Sequence, residues 1–372
     1  MKRVMFILSN LRGGGAERVV LTTIKHLRGS SVEPSLFLVR KSGALLNEVP
    51  SDVRLIWGVP EGVAARRNPR RVFRILQQEA SRCDAVVAGL ELAATYWTYA
   101  ALRNSDLPLI GWVHTSLADY VRLGSASHMN FAASHFVYRR FRHVVCPSSG
   151  AAESLTRRIK LAADVVRIIH NPLDLNDIRS KAEAGHSHFD RTALNGRPLI
   201  VAAGRMTADK GFDVLLRAFA QLLASGLKAR LLLLGDGLLR PQLSRLCAEL
   251  EVSDSVEMPG HSLNPYPDIR AADVFVSASR CEGFSMVLAE AMALGVPIVS
   301  TDCPSGPREV LDNGRCGVMV PSEDASALAA GLARVLADLG LRARLIDAGL
   351  RRVEAFSTER IVPQWSRLLS AA

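Results

Sequence analysis

Short apolar runs alternate with amphipathic stretches of helical period through both halves of the 372-residue chain. VMFILS is followed by AERVVLTTIKHLR, and RLLLLGD by LLRPQLSRLCAEL. An apolar run too short for a helix, followed by one helix and another such run, forces the two strands to lie parallel with the helix crossing over between them. Parallel strands need cover on both faces. The class that follows is α/β. Further strand candidates are AVVAG, PLIGWVH and HVVCPS in the first half, and PLIVAAGR, SVEMPG, VFVSAS and PIVST in the second. The length exceeds what one core usually supports, so two such domains are expected.

The junction should fall between Asn171 and Arg197, where the sequence is polar and poorly periodic. His186 and His188 in that stretch read as solvated linker residues. With 48% hydrophobic and 22% charged residues the chain is an ordinary globular one. Its six cysteines are scattered without a C-x-x-C pair, which argues against a zinc site or a disulfide framework and for reduced thiols. Cys281 lies beside Glu282 with no base next to it, so packing is its expected role. The amino-terminal apolar run stops at Asn10 in a glycine loop and reads as a first strand, not a leader. The longest candidate span, VVAGLELAATYWTYAAL, contains Glu91 and polar threonines, so a soluble or peripheral cytoplasmic protein is expected.

The densest chemistry lies in RCEGFSMVLAEAMALG, residues 280 to 295. Glu282 and Glu290 flank a Gly283-Phe284-Ser285-Met286 turn that opens an apolar helix, where free backbone N–H groups face any anion above them. Taken alone, Glu282 is an ordinary acid near a helix start and Glu290 a solvated helix residue. That reading weakens because Glu290 stands in an apolar run, where an unpaired carboxylate is costly to bury. Upstream, PLIVAAGR ends in Gly204 and Arg205, and Lys210 and Gly211 precede the amphipathic FDVLLRAFAQLL. Two cations at a strand exit suit a diphosphate, because ligands of open parallel sheets gather outside the carboxyl ends of strands. A ligand with hydroxyls at both ends and phosphates between them satisfies both acids and both cations: a nucleotide sugar.

In the first half, Gly13, Gly14 and Gly15 are consecutive and do not form the G-x-G-x-x-G of a dinucleotide site. They still permit close approach of backbone to phosphate or sugar. His114 sits at the carboxyl end of the strand candidate PLIGWVH, where a core role and a ligand-facing role both remain open. The charge is uneven: residues 1 to 180 carry 25 Lys plus Arg against 14 Asp plus Glu, and the remainder 21 against 22. Arg66, Arg67, Arg70, Arg71 and Arg74 fall at helical spacing around Val72, Phe73, Ile75 and Leu76, as in a helix lying on an anionic membrane surface. A solvated arginine face is the plainer account. Nucleic acid is not an expected partner, since no motif for it appears and aromatics are few.

The run GRM, Asp209-Lys210-Gly211, LLLLGDG and NPYPDIRAADVFVSASRCEGFSMVLAEAMALGVPIVSTDCPSGPREVL resembles the retaining family 4 glycosyltransferases of the GT-B fold, among them bacterial lipopolysaccharide and exopolysaccharide enzymes. The likeness is strong from about Leu199 to Val320. Upstream it rests on GGGAERVV, His114 and the Asn171-Pro172 turn, where proline replaces a common glycine. The resemblance implies two Rossmann-like domains facing across a cleft: residues 1–172 for the acceptor, 173–357 for the donor, and a closing segment 358–372, broken near Pro363, that packs back on the first.

It implies that Arg205 and Lys210 hold the donor diphosphate, Glu290 the ribose, and Glu282 the transferred sugar. Residues 283–286 would present backbone groups to the donor, Gly260 and His261 would border the nucleobase, Gly14 and Gly15 would line the phosphates, and His114 would reach the reacting sugar. The expected partners are a nucleotide sugar, UDP-linked by the closeness of NPYP and CPSGPRE, and a lipid-linked or glycan acceptor. Neither a cofactor nor a metal is expected, since no Asp-x-Asp motif occurs. An epimerase or phosphorylase on the same scaffold, and a silent nucleotide-sugar binder, remain as alternatives.

Overall fold

The computed structural model describes residues 1–116, 121, 128–189 and 194–372, so residues 190–193 of the expected junction lie outside the described residues. The chain divides into two units, Met1–Pro172 with Ser357–Ala372, and Leu173–Phe356.

The first unit holds a seven-stranded sheet in the order β3-β2-β1-β4-β5-β6-β7, every pair parallel. The strands are β1 (Lys2–Leu8), β2 (Val32–Arg40), β3 (Arg54–Val59), β4 (Ala85–Ala88), β5 (Leu109–Trp112), β6 (His143–Cys146) and β7 (Val166–Ile168). Val4 through Leu8 are wholly buried, as a central strand covered on both faces requires. Strand β2 carries Pro34 and is still paired on both sides. Pro34 stands opposite Val4 of β1, while pairing to β3 begins only at Ser35, so the missing N–H falls where β2 is still an edge.

The helix Pro69–Ala80 buries Val72 and Leu76 against this sheet, and Phe73 meets Trp97 edge to face at 5.3 Å. Its apolar face is therefore core, while the arginines at 66, 67, 70, 71 and 74 stay exposed. This corrects the expectation of an apolar face lying on a membrane. The closing segment is one unbroken helix, Thr358–Ala371, with Pro363 inside. Proline there removes a single ladder bond. Burial of Ile361, Val362, Trp365 and Leu369 outweighs that loss, and the helix lies against the helix Gly15–Leu27, β1 and β2.

The second unit holds a six-stranded parallel sheet, β10-β9-β8-β11-β12-β13. Its strands are β8 (Leu199–Ala203), β9 (Arg230–Leu234), β10 (Val256–Gly260), β11 (Val274–Ser277), β12 (Ile298–Thr301) and β13 (Val318–Val320). Both sheets reverse their order beside the first strand, giving switch points between β1 and β4 and between β8 and β11. Open parallel sheets bind ligands outside such points. The supposed linker contains a regular helix, Leu175–Ala184, capped by Asp174, whose carboxylate accepts from the Asp177 N–H.

Candidate functional site

In the second unit the loops leaving β8 and β11 meet at the switch point. Gly211 stands between them with φ +61, and a Cβ there would fall 2.1 Å from the Ala278 carbonyl oxygen. Only glycine lets the backbones approach this closely. Lys210, just before it, reaches across so that Nζ lies 2.7 Å from Glu282 Oε1. The Ser279 hydroxyl donates to the same oxygen at 2.7 Å. Both charged side chains are largely buried, so the pair is electrostatically stronger than a surface bridge. Two residues expected to serve adjoining parts of a ligand, its diphosphate and its transferred sugar, thus hold each other. Arg205 stands exposed five residues earlier, on the same strand exit.

The turn after Glu282 leads into the helix Met286–Ala293. Phe284 turns inward, 1% exposed and edge to face with Phe356 at 5.0 Å, so only its backbone remains for a ligand. Ser285 caps the helix in the left-handed region at φ +67 without a side-chain capping bond, and its buried Oγ has no partner. Such a conformation is disfavoured for a non-glycine residue. Met286 begins the helix, placing the amides of its first turn beside this corner, of which the Leu288 N–H donates to the Ser285 carbonyl at 3.2 Å. Glu290 follows on the second turn and accepts from the Tyr266 hydroxyl at 3.2 Å. Gly260 ends β10 at φ +100, its carbonyl accepts from Gly235, and His261 follows it, exposed.

Three polar residues of this region escape sequence reasoning. Tyr266 partners Glu290, and a carboxylate in an apolar run was the signal for such a group. Ser279 partners Glu282 and carries no separate signal. Asp268, 1% exposed, accepts from the Ser187 hydroxyl, the His188 N–H and His188 Nδ1 at 2.6–2.8 Å. His188 is thus anchored to a buried carboxylate, which corrects its reading as a merely solvated residue. Cys281 and Cys303 are both buried, and desolvation together with the neighbouring Glu282 charge pushes the Cys303 thiol well up from its ordinary range. A thiol so held is inert.

In the first unit, Gly14 and Gly15 open the helix Gly15–Leu27 beyond the exit of β1. A Cβ on Gly14 would strike Glu17 Oε2 at 2.2 Å, whereas one on Gly15 would meet nothing within 4 Å. The Glu17 side chain is flexible and can swing aside, so the chain's own packing demands glycine at neither position. His114 follows β5. Its Nε2 lies 2.9 Å from the Gly89 carbonyl oxygen, which fixes the proton on Nε2 and leaves Nδ1 as an acceptor. Nδ1 is buried and without a partner. The His114 N–H donates to Glu91 Oε2 at 2.9 Å, and the ring stacks on Trp112 at 4.8 Å. Burial draws its pKa down to about 4 against the opposing Gly89 hydrogen bond, so the ring is neutral near pH 7.

Two family profiles match the chain: Glycosyltransferase Family 4 over residues 13–177 and Glycosyl transferases group 1 over residues 186–352. The chain is a family 4 glycosyltransferase. Across 97% of both chains this glycosyltransferase is 26% identical to the Campylobacter jejuni N-acetylgalactosamine-N,N'-diacetylbacillosaminyl-diphospho-undecaprenol 4-alpha-N-acetylgalactosaminyltransferase. A 175-residue stretch, 47% of this chain and 50% of the relative, is 36% identical to the lipopolysaccharide core biosynthesis glycosyltransferase LpsE of Rhizobium meliloti. Among solved structures, Anabaena HepE in complex with UDP and glucose superposes over 100% of both chains with a TM-score of 0.83 at 19% identity, a likeness of fold. The epimerase, phosphorylase and silent-binder readings give way to transfer. Among the described residues no helix is long and apolar enough to cross a membrane, and no group of three or more His, Cys, Asp or Glu is placed to hold a metal ion.

Proposed function

We propose that this glycosyltransferase moves a hexose or N-acetylhexosamine, with retention of anomeric configuration, from a UDP-linked donor to a lipid-linked or glycan acceptor in cell-surface polysaccharide synthesis. One observation carries the reading: Lys210 and Glu282 converge at the β8/β11 switch point beside the first-turn amides of the Met286–Ala293 helix. A cation, an acid and the N–H groups of a helix start at one corner match a sugar esterified to pyrophosphate. The UDP and glucose of HepE and the diphospho-undecaprenol in the Campylobacter relative's name support the donor and acceptor classes.

As the glycosidic bond breaks, negative charge grows on the departing diphosphate, and the largest demand is to stabilise it. Lys210, Arg205 and the helix-start amides answer that demand without a divalent ion. Lys210 exchanges Glu282 for phosphate, which frees the Glu282 carboxylate for the sugar's hydroxyls. Glu290, oriented by Tyr266, accepts from the ribose. Neutral His114 accepts a sugar hydroxyl at Nδ1, a role closed to a protonated ring. No dedicated base is assigned: the departing phosphate takes the acceptor's proton on the same face. The exposed arginines at positions 66, 67, 70, 71 and 74 attract the protein to anionic lipid by charge alone, since Val72 and Leu76 are buried.

The deciding experiment screens nucleotide sugars for thermal stabilisation of the full chain, then assays the best of them with a polyprenyl-diphosphate acceptor. Stabilisation by a UDP-sugar and an α-linked product from an α-linked donor are expected. Inversion, or stabilisation only by a guanosine diphosphate sugar, defeats the corresponding part of the reading.

A further inference from the structure

Arg280 lies two residues before Glu282, and each of its five guanidinium N–H groups is used. Nη1 donates to Asp213 Oδ1 and to the Ala208 carbonyl, both at 2.8 Å. Nη2 donates to Asp213 Oδ2 at 2.8 Å and Glu323 Oε2 at 2.9 Å, and Nε to Glu323 Oε1 at 2.5 Å. The Arg280 main-chain N–H also donates to the Asp209 carbonyl at 2.7 Å. One residue of the β11 exit thus binds two consecutive carbonyls of the turn after β8, and Lys210 is the next residue along that turn.

The geometry is stiff for a physical reason. A planar fork that meets two carboxylates bidentately has little rotational freedom left. Desolvation alone would push the Asp213 carboxyl up, but the Arg280 hydrogen bonds and charge outweigh it and hold the group below its ordinary range. Neither Asp213 nor Glu323 belongs to the loops being joined: Asp213 opens the helix Phe212–Ala224, and Glu323 precedes the helix Ala325–Ala337. The two helices anchor the guanidinium, and the guanidinium anchors the turn. An error of about 1 Å in placing a charged group costs on the order of a hundredfold in reactivity, so a catalytic lysine on a short turn needs such support.

We propose that Arg280 is a positioning residue of the diphosphate site, clamping the 208–211 turn against the Glu282 loop so that Lys210 meets the donor's phosphates. The inference rests on the reading of Lys210 given above. Arg280 itself acts through the turn, with its own donors filled by protein acceptors.

The test is a double-mutant cycle read by calorimetric titration of UDP into the full-length protein, with melting temperatures recorded in parallel. Lys210→Ala is expected to weaken UDP binding by about 10–100-fold, the loss of one charge-assisted contact. Arg280→Ala is expected to weaken it by about threefold to tenfold in the wild-type background and to add nothing when Lys210 is already alanine, because coupled residues are not additive. Arg280→Lys keeps the charge but cannot hold both carboxylates, so it should follow Arg280→Ala, and it carries the cycle if the alanine variant does not fold. An Arg280 effect that persists undiminished beside Lys210→Ala overturns the proposal, as does UDP binding at wild-type strength in Arg280→Lys. Weakening by Arg280→Ala with none by Lys210→Ala would instead overturn the diphosphate reading of Lys210.

Discussion

The two units share a strand order and differ in what they place at its reversal. In the second unit the β8 and β11 exits carry three charged residues, Lys210 paired with Glu282, and Arg280 bonded to the turn that carries Lys210. In the first, the β1 and β4 exits carry backbone: the Gly13–Gly15 run and the Gly89 carbonyl, with a neutral His114 resting on the latter. One topology therefore hosts a lysine–glutamate pair in one unit and, in the other, a neutral histidine held by a carbonyl and by the Glu91 carboxylate. The lesson is that a parallel sheet dictates where a ligand lies, while loop residues dictate which part of it is met.

The sharpest way to break this contrast is to neutralise the lysine of the second unit's pair. Lys210→Ala is expected to lower turnover by about 10²–10³-fold, the scale for removing one preorganised group facing developing charge, while unfolding remains cooperative. Initial rates at saturating donor beside a melting curve check it, and near-wild-type turnover would end the assignment. His114→Asn at the reversal of the first unit should cost less, about 10–100-fold in kcat/KM, since it removes one hydrogen bond to a sugar hydroxyl and no charge.

His114 also sharpens the comparison through pH. Its folded pKa lies below the ordinary histidine value of about 6.5, so between pH 6.5 and about 4 the unfolded chain binds more protons than the folded one. Its stabilising contribution is thus complete above about pH 6.5 and is lost as pH falls toward 4, by on the order of 1–3 kcal/mol. Denaturant titrations at pH 7 and pH 5 should show this loss, and His114→Asn should flatten it.

Smaller effects separate the units further. Tyr266→Phe should raise the donor KM by about threefold to tenfold, because Glu290 loses one oriented donor. Replacing all five arginines of positions 66, 67, 70, 71 and 74 by glutamine should abolish sedimentation with anionic vesicles at low salt and leave the rate on a soluble acceptor unchanged. Chelation by EDTA should not change the rate at all, and a loss restored by magnesium would replace the two-cation account.

Much of this architecture is written in local pattern. Strands with four or five consecutive buried apolar residues, such as LIVAA of β8 and RLLLL of β9, declare themselves, and so do the helices between them. Strands β3, β7 and β13 do not, because Gly58 and short length dilute the signal that neighbouring strands later override. The Lys210–Glu282 contact joins residues 72 apart and is invisible to any local window, although each partner is recognisable by its motif. Ser279, Tyr266 and Arg280 stand inside recognisable runs, but nothing local assigns them a role; they matter because of where the switch point brings them. Val72 and Leu76 mislead for the opposite reason, since an amphipathic face looks alike whether it covers a sheet or a lipid.

The closing helix has a consequence for biosynthesis. Trp365 lies 4.2 Å from Trp112, ring centre to ring centre, and Trp112 in turn supports His114. Until residues 357–372 emerge from the ribosome, the first unit lacks a piece of its interior, whereas residues 173–356 form a continuous stretch that is already complete. The half begun first is finished last, and its indole-lined surface stays bare throughout synthesis of the other, the interval in which such a nascent chain most needs a chaperone.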